Sequence, residues 1–227
     1  MPILEQLPIV LTVDQVIQAQ GMDPSRVRAK SQRLIDLTEK AMDTGSPYLH
    51  PMAVYEIFTV DKLIHQRLVF SNGQGLEGEL ITKQLGSANQ IAVSVCTVGE
   101  EISKFANALF QESPGLAMAL EGFAAAATEA LGNSVCSYFE ELFSEKGMNT
   151  SVPLNPGMEG WPVEIAQPQI FDLVKAESIG VRLEPSCLMI PLKSLSMVIG
   201  IGSDFDTTIK PCDLCTLKNT CTHRCNQ

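Results

Sequence analysis

Cys212, Cys215, Cys221 and Cys225 crowd the last sixteen residues of a 227-residue chain, in the pattern C-x2-C-x5-C-x3-C. Four thiolates on so short a segment can close a tetrahedral shell around one zinc ion or anchor an iron–sulfur cluster. Soft sulfur ligands select these centres over hard cations. The spacing is a loosened form of the compact ferredoxin-type run, so an iron–sulfur cluster is the first reading and zinc the second. Lys218, His223 and Arg224 lie among the cysteines and offset thiolate charge, and His223 can replace one cysteine in either shell. The plain alternative is a disulfide or free thiols. Compartment argues against it, because a reducing cytoplasm keeps clustered thiols available for metal.

Other chemistry is sparse. Cys96 stands between a strand-like run and the Gly99-Glu100-Glu101 helix start, where a thiol can be activated. The chain has only three histidines, however, and none is near in sequence, so core packing is the stronger reading for Cys96. Cys136 and Cys187 also stand alone in apolar surroundings. There is no phosphate-cradling glycine loop of either common kind, and Asn72-Gly73-Gln74-Gly75 reads as a turn. No catalytic nucleophile is identified.

Composition frames these residues as part of a folded globular protein, with 45% hydrophobic and 19% charged residues. A net charge of −10 argues against a nucleic-acid or anionic-membrane surface, which needs clustered Lys and Arg. The opening MPILEQLPIVLTVDQ lacks a basic flank and is broken by Glu5 and Asp14, unlike a secretory signal. No apolar run reaches the roughly 20 residues that span a bilayer. The expected location is cytoplasmic.

The elements that must position any site follow from local pattern. Asp23-Pro24-Ser25 predicts a helix start, with Val27, Leu34, Ile35, Leu37 and Met42 on one face and Gly45-Ser46-Pro47 as the stop. Strands are expected over 52–60, 67–70 and 91–98, with a short helix over 79–85 ended by Gly86. Helices follow to about Phe110 and from Leu116 to Ser144, the latter alanine-rich with Glu129 inside it. Then a Pro/Gly loop (Pro153, Pro156, Gly157, Gly160, Pro162) holds Trp161, the single tryptophan. A helix over 168–177 and strands over 181–184 and 195–201 complete the pattern. No regular βαβ alternation is present, which predicts an α+β domain with a mostly antiparallel sheet over residues 1–210. Residues 211–227 form a separate Cys-rich appendage.

The stretch 155–202 resembles the activation domain of cobalamin-dependent methionine synthase, and more closely its free-standing relatives in the corrinoid methyltransferase systems of anaerobic microbes. The matching elements are Pro156-Gly157, Pro162, Ile179-Gly180 with Arg182-Leu183, and Met189-Ile190-Pro191 with Ser194-Leu195-Ser196. Upstream, Thr97-Val98-Gly99 and Glu129 fit the same pattern, so the likeness runs over about 51–202. The resemblance implies S-adenosylmethionine binding and presentation to a corrinoid. There an electron donor reduces cob(II)alamin, and the sulfonium methyl traps the cob(I)alamin formed.

The family loop reads R-x-x-P-G-Y in outline. Carried over, its small residue is Asn155 and its glycine Gly157, while Pro153 stands at the arginine position and Met158 at the tyrosine position. Proline cannot hold a carboxylate by paired hydrogen bonds, and methionine offers no ring face or hydroxyl. These two departures predict weak or absent S-adenosylmethionine binding. The expected cofactor-facing residues are Asn155, Gly157, Met158, Trp161 and Glu129. The function expected is that of an accessory protein docking on a corrinoid protein, served by an electron donor, with cobalamin carried by the partner. The alternative is a non-catalytic interaction module with a zinc-binding tail.

Overall fold

The computed structural model describes residues 1–206 and 208–214. In chain order the elements are β1 (Ile3–Glu5), α1 (Val13–Ala19), α2 (Pro24–Lys30), α3 (Gln32–Gly45), β2 (Met52–Ile64), β3 (Arg67–Phe70), β4 (Gly75–Glu77), α4 (Glu79–Leu85), β5 (Gln90–Thr97), α5 (Glu101–Leu109), α6 (Pro114–Ser144), β6 (Asn149–Thr150), α7 (Val163–Leu173), β7 (Arg182–Leu183), β8 (Met189–Ile190) and β9 (Ser194–Gly202). Short 3-10 turns cover Ser46–Tyr48, Ala176–Ile179 and Pro211–Leu214.

Seven strands form one sheet in the order β4-β3-β2-β5-β9-β6, with β1 on β2, and every pairing is antiparallel. The expected α+β class with an antiparallel sheet is thus the observed one. Besides β1, the long β2 serves β5 and β3 in turn. Its first half pairs with β5 from Met52 to Thr59, and its second half pairs with β3 from Val60 to Ile64, with an irregularity between Val60 and Lys62.

Helices cover both faces of the sheet, and strand alternation sorts the side chains between them. Ala53 and Tyr55 of β2, Ala92 and Cys96 of β5, and Met197 and Ile199 of β9 join α6 in one core. Val54 and Phe58, Ile91, Val93 and Val95, and Val198 point the other way, into a core with α4, α7, Leu154 and Trp161. A strand buried on both faces needs no polar alternation. This is why β5 reads as one apolar run.

α6 is the principal support, 31 residues and about 46 Å long. Its small residues let it lie close to the sheet: a Cβ on Gly132 would stand 2.6 Å from Leu195 Cδ2. Ala124, Ala126 and Ala127 are buried in that core, as the alanine-rich pattern predicts. Among the described residues no helix is long and apolar enough to cross a membrane.

Three expectations need correction. The helix placed over 24–45 is two helices, because Ser31 leaves helical geometry at φ −150° and ψ 85°. The helix placed over 168–177 is α7, which starts at Val163 and keeps Pro168 inside it. Proline there forfeits a bond to the Glu164 carbonyl, and both residues are exposed, so water can satisfy that group. The strand placed over 181–184 is not in the main sheet. It pairs with β8 as a two-stranded ribbon, closed by Cys187 N–H on the Glu184 carbonyl at 2.8 Å. β9 already has β5 on one side and the 149–154 segment on the other, so no edge is left for it.

Candidate functional site

Beyond α6 the chain returns along the outer edge of β9 as an interrupted strand. Asn149 and Thr150 pair with Gly202 and Ile201, and Ser151 exchanges bonds with Gly200, N–H to carbonyl and N–H to Oγ, each 2.8 Å. Leu154 then bridges Val198 by two backbone bonds of 2.9 and 3.0 Å. Pro153 and Pro156 have no N–H to extend the ladder, so the segment leaves the sheet as a loop at Asn155.

That loop, Asn155 to Trp161, is held from inside. The Asn155 side-chain amide donates to the Ser196 carbonyl at 2.9 Å, and the Asn155 N–H lies 3.2 Å from Met158 Sδ. Met158 N–H donates to the Asn155 carbonyl at 3.2 Å, and Gly157 N–H to the Trp161 carbonyl at 2.9 Å. Gly157 sits at φ +94°, a left-handed conformation that favours glycine. Gly157 is exposed, whereas Asn155 and Met158 are half-buried.

Trp161 is fully buried in the core shared with α4 and α7, and its Nε1 has no hydrogen-bond partner among the described residues. Its ring is closed to solvent. Its carbonyl holds the loop through Gly157 N–H, and Asn155, Gly157 and Met158 are the solvent-accessible members of the expected set. A Cβ on Gly78 would stand 2.6 Å from the Trp161 ring, so that glycine admits the indole.

On the α6 side of the same edge segment lies a cavity of about 460 Å³. α6 lines it with Asn133, Cys136, Ser137 and Glu140, the edge with Thr150 and Pro153, and the chain leading to the tail with Asp206, Ile209 and Lys210. Its mixed lining can receive a small polar ligand with an apolar part. The polar positions on α6 recur at helical spacing, a signal present in the sequence that the alanine pattern overshadowed.

Cys136 is half-buried and packs against the core between α6 and the sheet. Burial first, and then the Glu140 charge, push its thiol up to about 12. Its Sγ lies 3.8 Å from Met197 Sδ. Cys96 is fully buried on β5 and is likewise pushed up to about 12, chiefly by burial. Core packing is its role.

Glu129 is exposed on α6, in the layer across the sheet from the Asn155–Trp161 loop, so the fold does not bring the two together. Of the four tail cysteines, Cys212 is half-buried in the Pro211–Leu214 turn. Cys215, Cys221 and Cys225 lie outside the described residues, and among the described residues no group of His, Cys, Asp or Glu is placed to hold a metal.

No protein-family model and no curated protein matches the chain. Among solved structures it is similar to the crystal structure of the MetH reactivation domain bound to AdoHcy. The TM-score is 0.64 at 15% identity, over 91% of this chain and 80% of that one. At that identity the likeness speaks to architecture, and it agrees with the resemblance carried by the loop and by the segments around β8 and β9. The chain has the fold of a methionine synthase activation domain.

Proposed function

We propose that this protein is an accessory module of corrinoid-dependent methyl transfer, docking on a cobalamin-carrying protein and assisting its reductive reactivation. The observation that supports this reading is the shared architecture over 91% of the chain with a domain whose name is reactivation. The docking face is the loop of Asn155, Gly157 and Met158. Leu188 and Leu192, 57% and 68% exposed at the β8 turn, offer apolar surface suited to a protein partner.

S-adenosylmethionine affinity is expected to be weak. Pro153 replaces the carboxylate-holding arginine, and no lysine or arginine takes its place between Met148 and Pro162. Docking and electron delivery are then the retained role. The tail thiolates of Cys212, Cys215, Cys221 and Cys225 suit an iron–sulfur cluster, which supplies one-electron transfer when bound. Zinc in the same thiolates would instead make the tail structural.

Protein purified without oxygen tests the tail. Brown colour with stoichiometric iron and sulfide supports electron delivery. One tightly held zinc and no colour moves the tail to the structural reading. Titration with a cobalamin-loaded corrinoid protein tests docking, and absence of binding in either cobalt oxidation state overturns it.

A further inference from the structure

Arg26, Arg28, Lys30 and Arg33 fall within eight residues, and no acidic side chain interrupts residues 24–35. In a chain of net charge −10 this is the one dense run of cations. All four are exposed, on α2 and the first turn of α3. Arg28 is held by Asp14 at 2.7 Å, and Arg26 leans on Asp23 at 3.5 Å. Lys30 and Arg33 form no ion pair among the described residues.

Beside them is a groove of about 690 Å³ with Met22, Val27 and Leu34 among its apolar lining and Arg26, Lys30 and the carboxylate of Asp23 among its polar lining. The three helices around it enclose a small core of their own, Ile17, Val27 and Ile35. We propose that this helical corner is a docking surface for an acidic protein partner. The partner seats one apolar side chain in the groove and sets carboxylates against Arg26, Lys30 and Arg33.

Charge complementarity carries the choice of occupant. At physiological ionic strength charges are screened beyond about 8 Å, so an acidic partner senses these cations at contact rather than the overall −10 of the chain. An apolar floor whose rim carries Arg26 and Lys30 against the single carboxylate of Asp23 matches an apolar anchor flanked by carboxylates. A nucleic acid would need cations along a longer track and would meet the acidic remainder of the surface. The corner belongs to the helical layer on the α6 side of the sheet, and the Asn155 loop to the opposite layer, so this surface stands or falls independently of the function proposed above.

The test uses the full chain and a fluorescent helical peptide carrying two leucines one turn apart, flanked by glutamates. Controls are a scrambled peptide of the same composition and a single-stranded oligonucleotide, all read by anisotropy. The expected result is saturable peptide binding that weakens with salt and falls about tenfold in Arg26→Glu/Lys30→Glu. The distant Lys62→Glu should leave it unchanged, and circular dichroism confirms that each variant is folded. Four results overturn the proposal: no saturable binding, equal affinity for the scrambled peptide, preference for the oligonucleotide, or equal loss in the Lys62 variant. Sedimentation showing a salt-sensitive dimer through the same cations would also overturn it, making the occupant a second copy.

Discussion

Replacing Trp161 separates two contributions that the structure places in one side chain. The indole is fully buried, anchors the Asn155 loop, and carries an Nε1–H with no partner among the described residues. Truncation to alanine leaves a large cavity in a packed core and should cost about 3–5 kcal/mol. That is a substantial share of the roughly 5–15 kcal/mol that holds a domain together. Phenylalanine also loses packing but removes the unpaired donor, whose burial costs about 1–3 kcal/mol. The two changes offset, and Trp161→Phe should cost less than about 2 kcal/mol. Urea titrations followed by far-ultraviolet circular dichroism measure both, since neither variant retains a tryptophan to report by fluorescence. Equal losses for the two variants would mean that Nε1 is hydrogen-bonded in solution. A loss below about 1 kcal/mol for Trp161→Ala would mean that the indole does not anchor the loop.

Gly157→Ala should destabilise by about 1–3 kcal/mol, because φ +94° strains any side chain and the new Cβ would lie 3.1 Å from Val163 Cγ2; thermal melting measures it. Gly132→Val should cost about 1–3 kcal/mol by overpacking against Leu195 and Met197, read from the urea midpoint. The buried thiols give a pH dependence. Cys96 and Cys136 rise from an ordinary 9.0 to about 12 in the folded chain, so above pH 9.0 only the unfolded chain releases these protons. Their contribution to stability is therefore complete below pH 9.0 and is lost as pH rises towards about 12. Denaturation midpoints across that window check the slope, which Cys96→Ala should reduce.

Much of the fold was legible because local signals agreed with tertiary need. Asp23-Pro24 caps α2 as expected, with the carboxylate accepting from Ser25 and Arg26 N–H. α4 occupies the residues expected of it, and β5 and β9 match their apolar runs within one residue. α1 was missed although Thr12 and Gln15 form a capping box, visible as T-x-x-Q. β1, β4, β6 and β8 were missed because strands of two or three residues carry no periodicity; partners define them. The surroundings of the expected site residues were legible only in part. Composition marks the loop and Trp161, but only the fold shows that Trp161 points inward and that Glu129 lies in the other layer. The cavity beside Cys136 joins α6 to residues about 70 positions later, a contact no local pattern encodes.

Calorimetric titration of the full chain with a cobalamin-loaded corrinoid protein, as cob(II)alamin and as cob(I)alamin, tests the central claim most directly. The expected result is saturable binding in at least one cobalt state, weakened by Met158→Asp, with little or no heat from S-adenosylmethionine alone. No binding in either state would contradict the account. Micromolar S-adenosylmethionine binding to the isolated chain, about 8 kcal/mol, would contradict the reading of Pro153 and Met158.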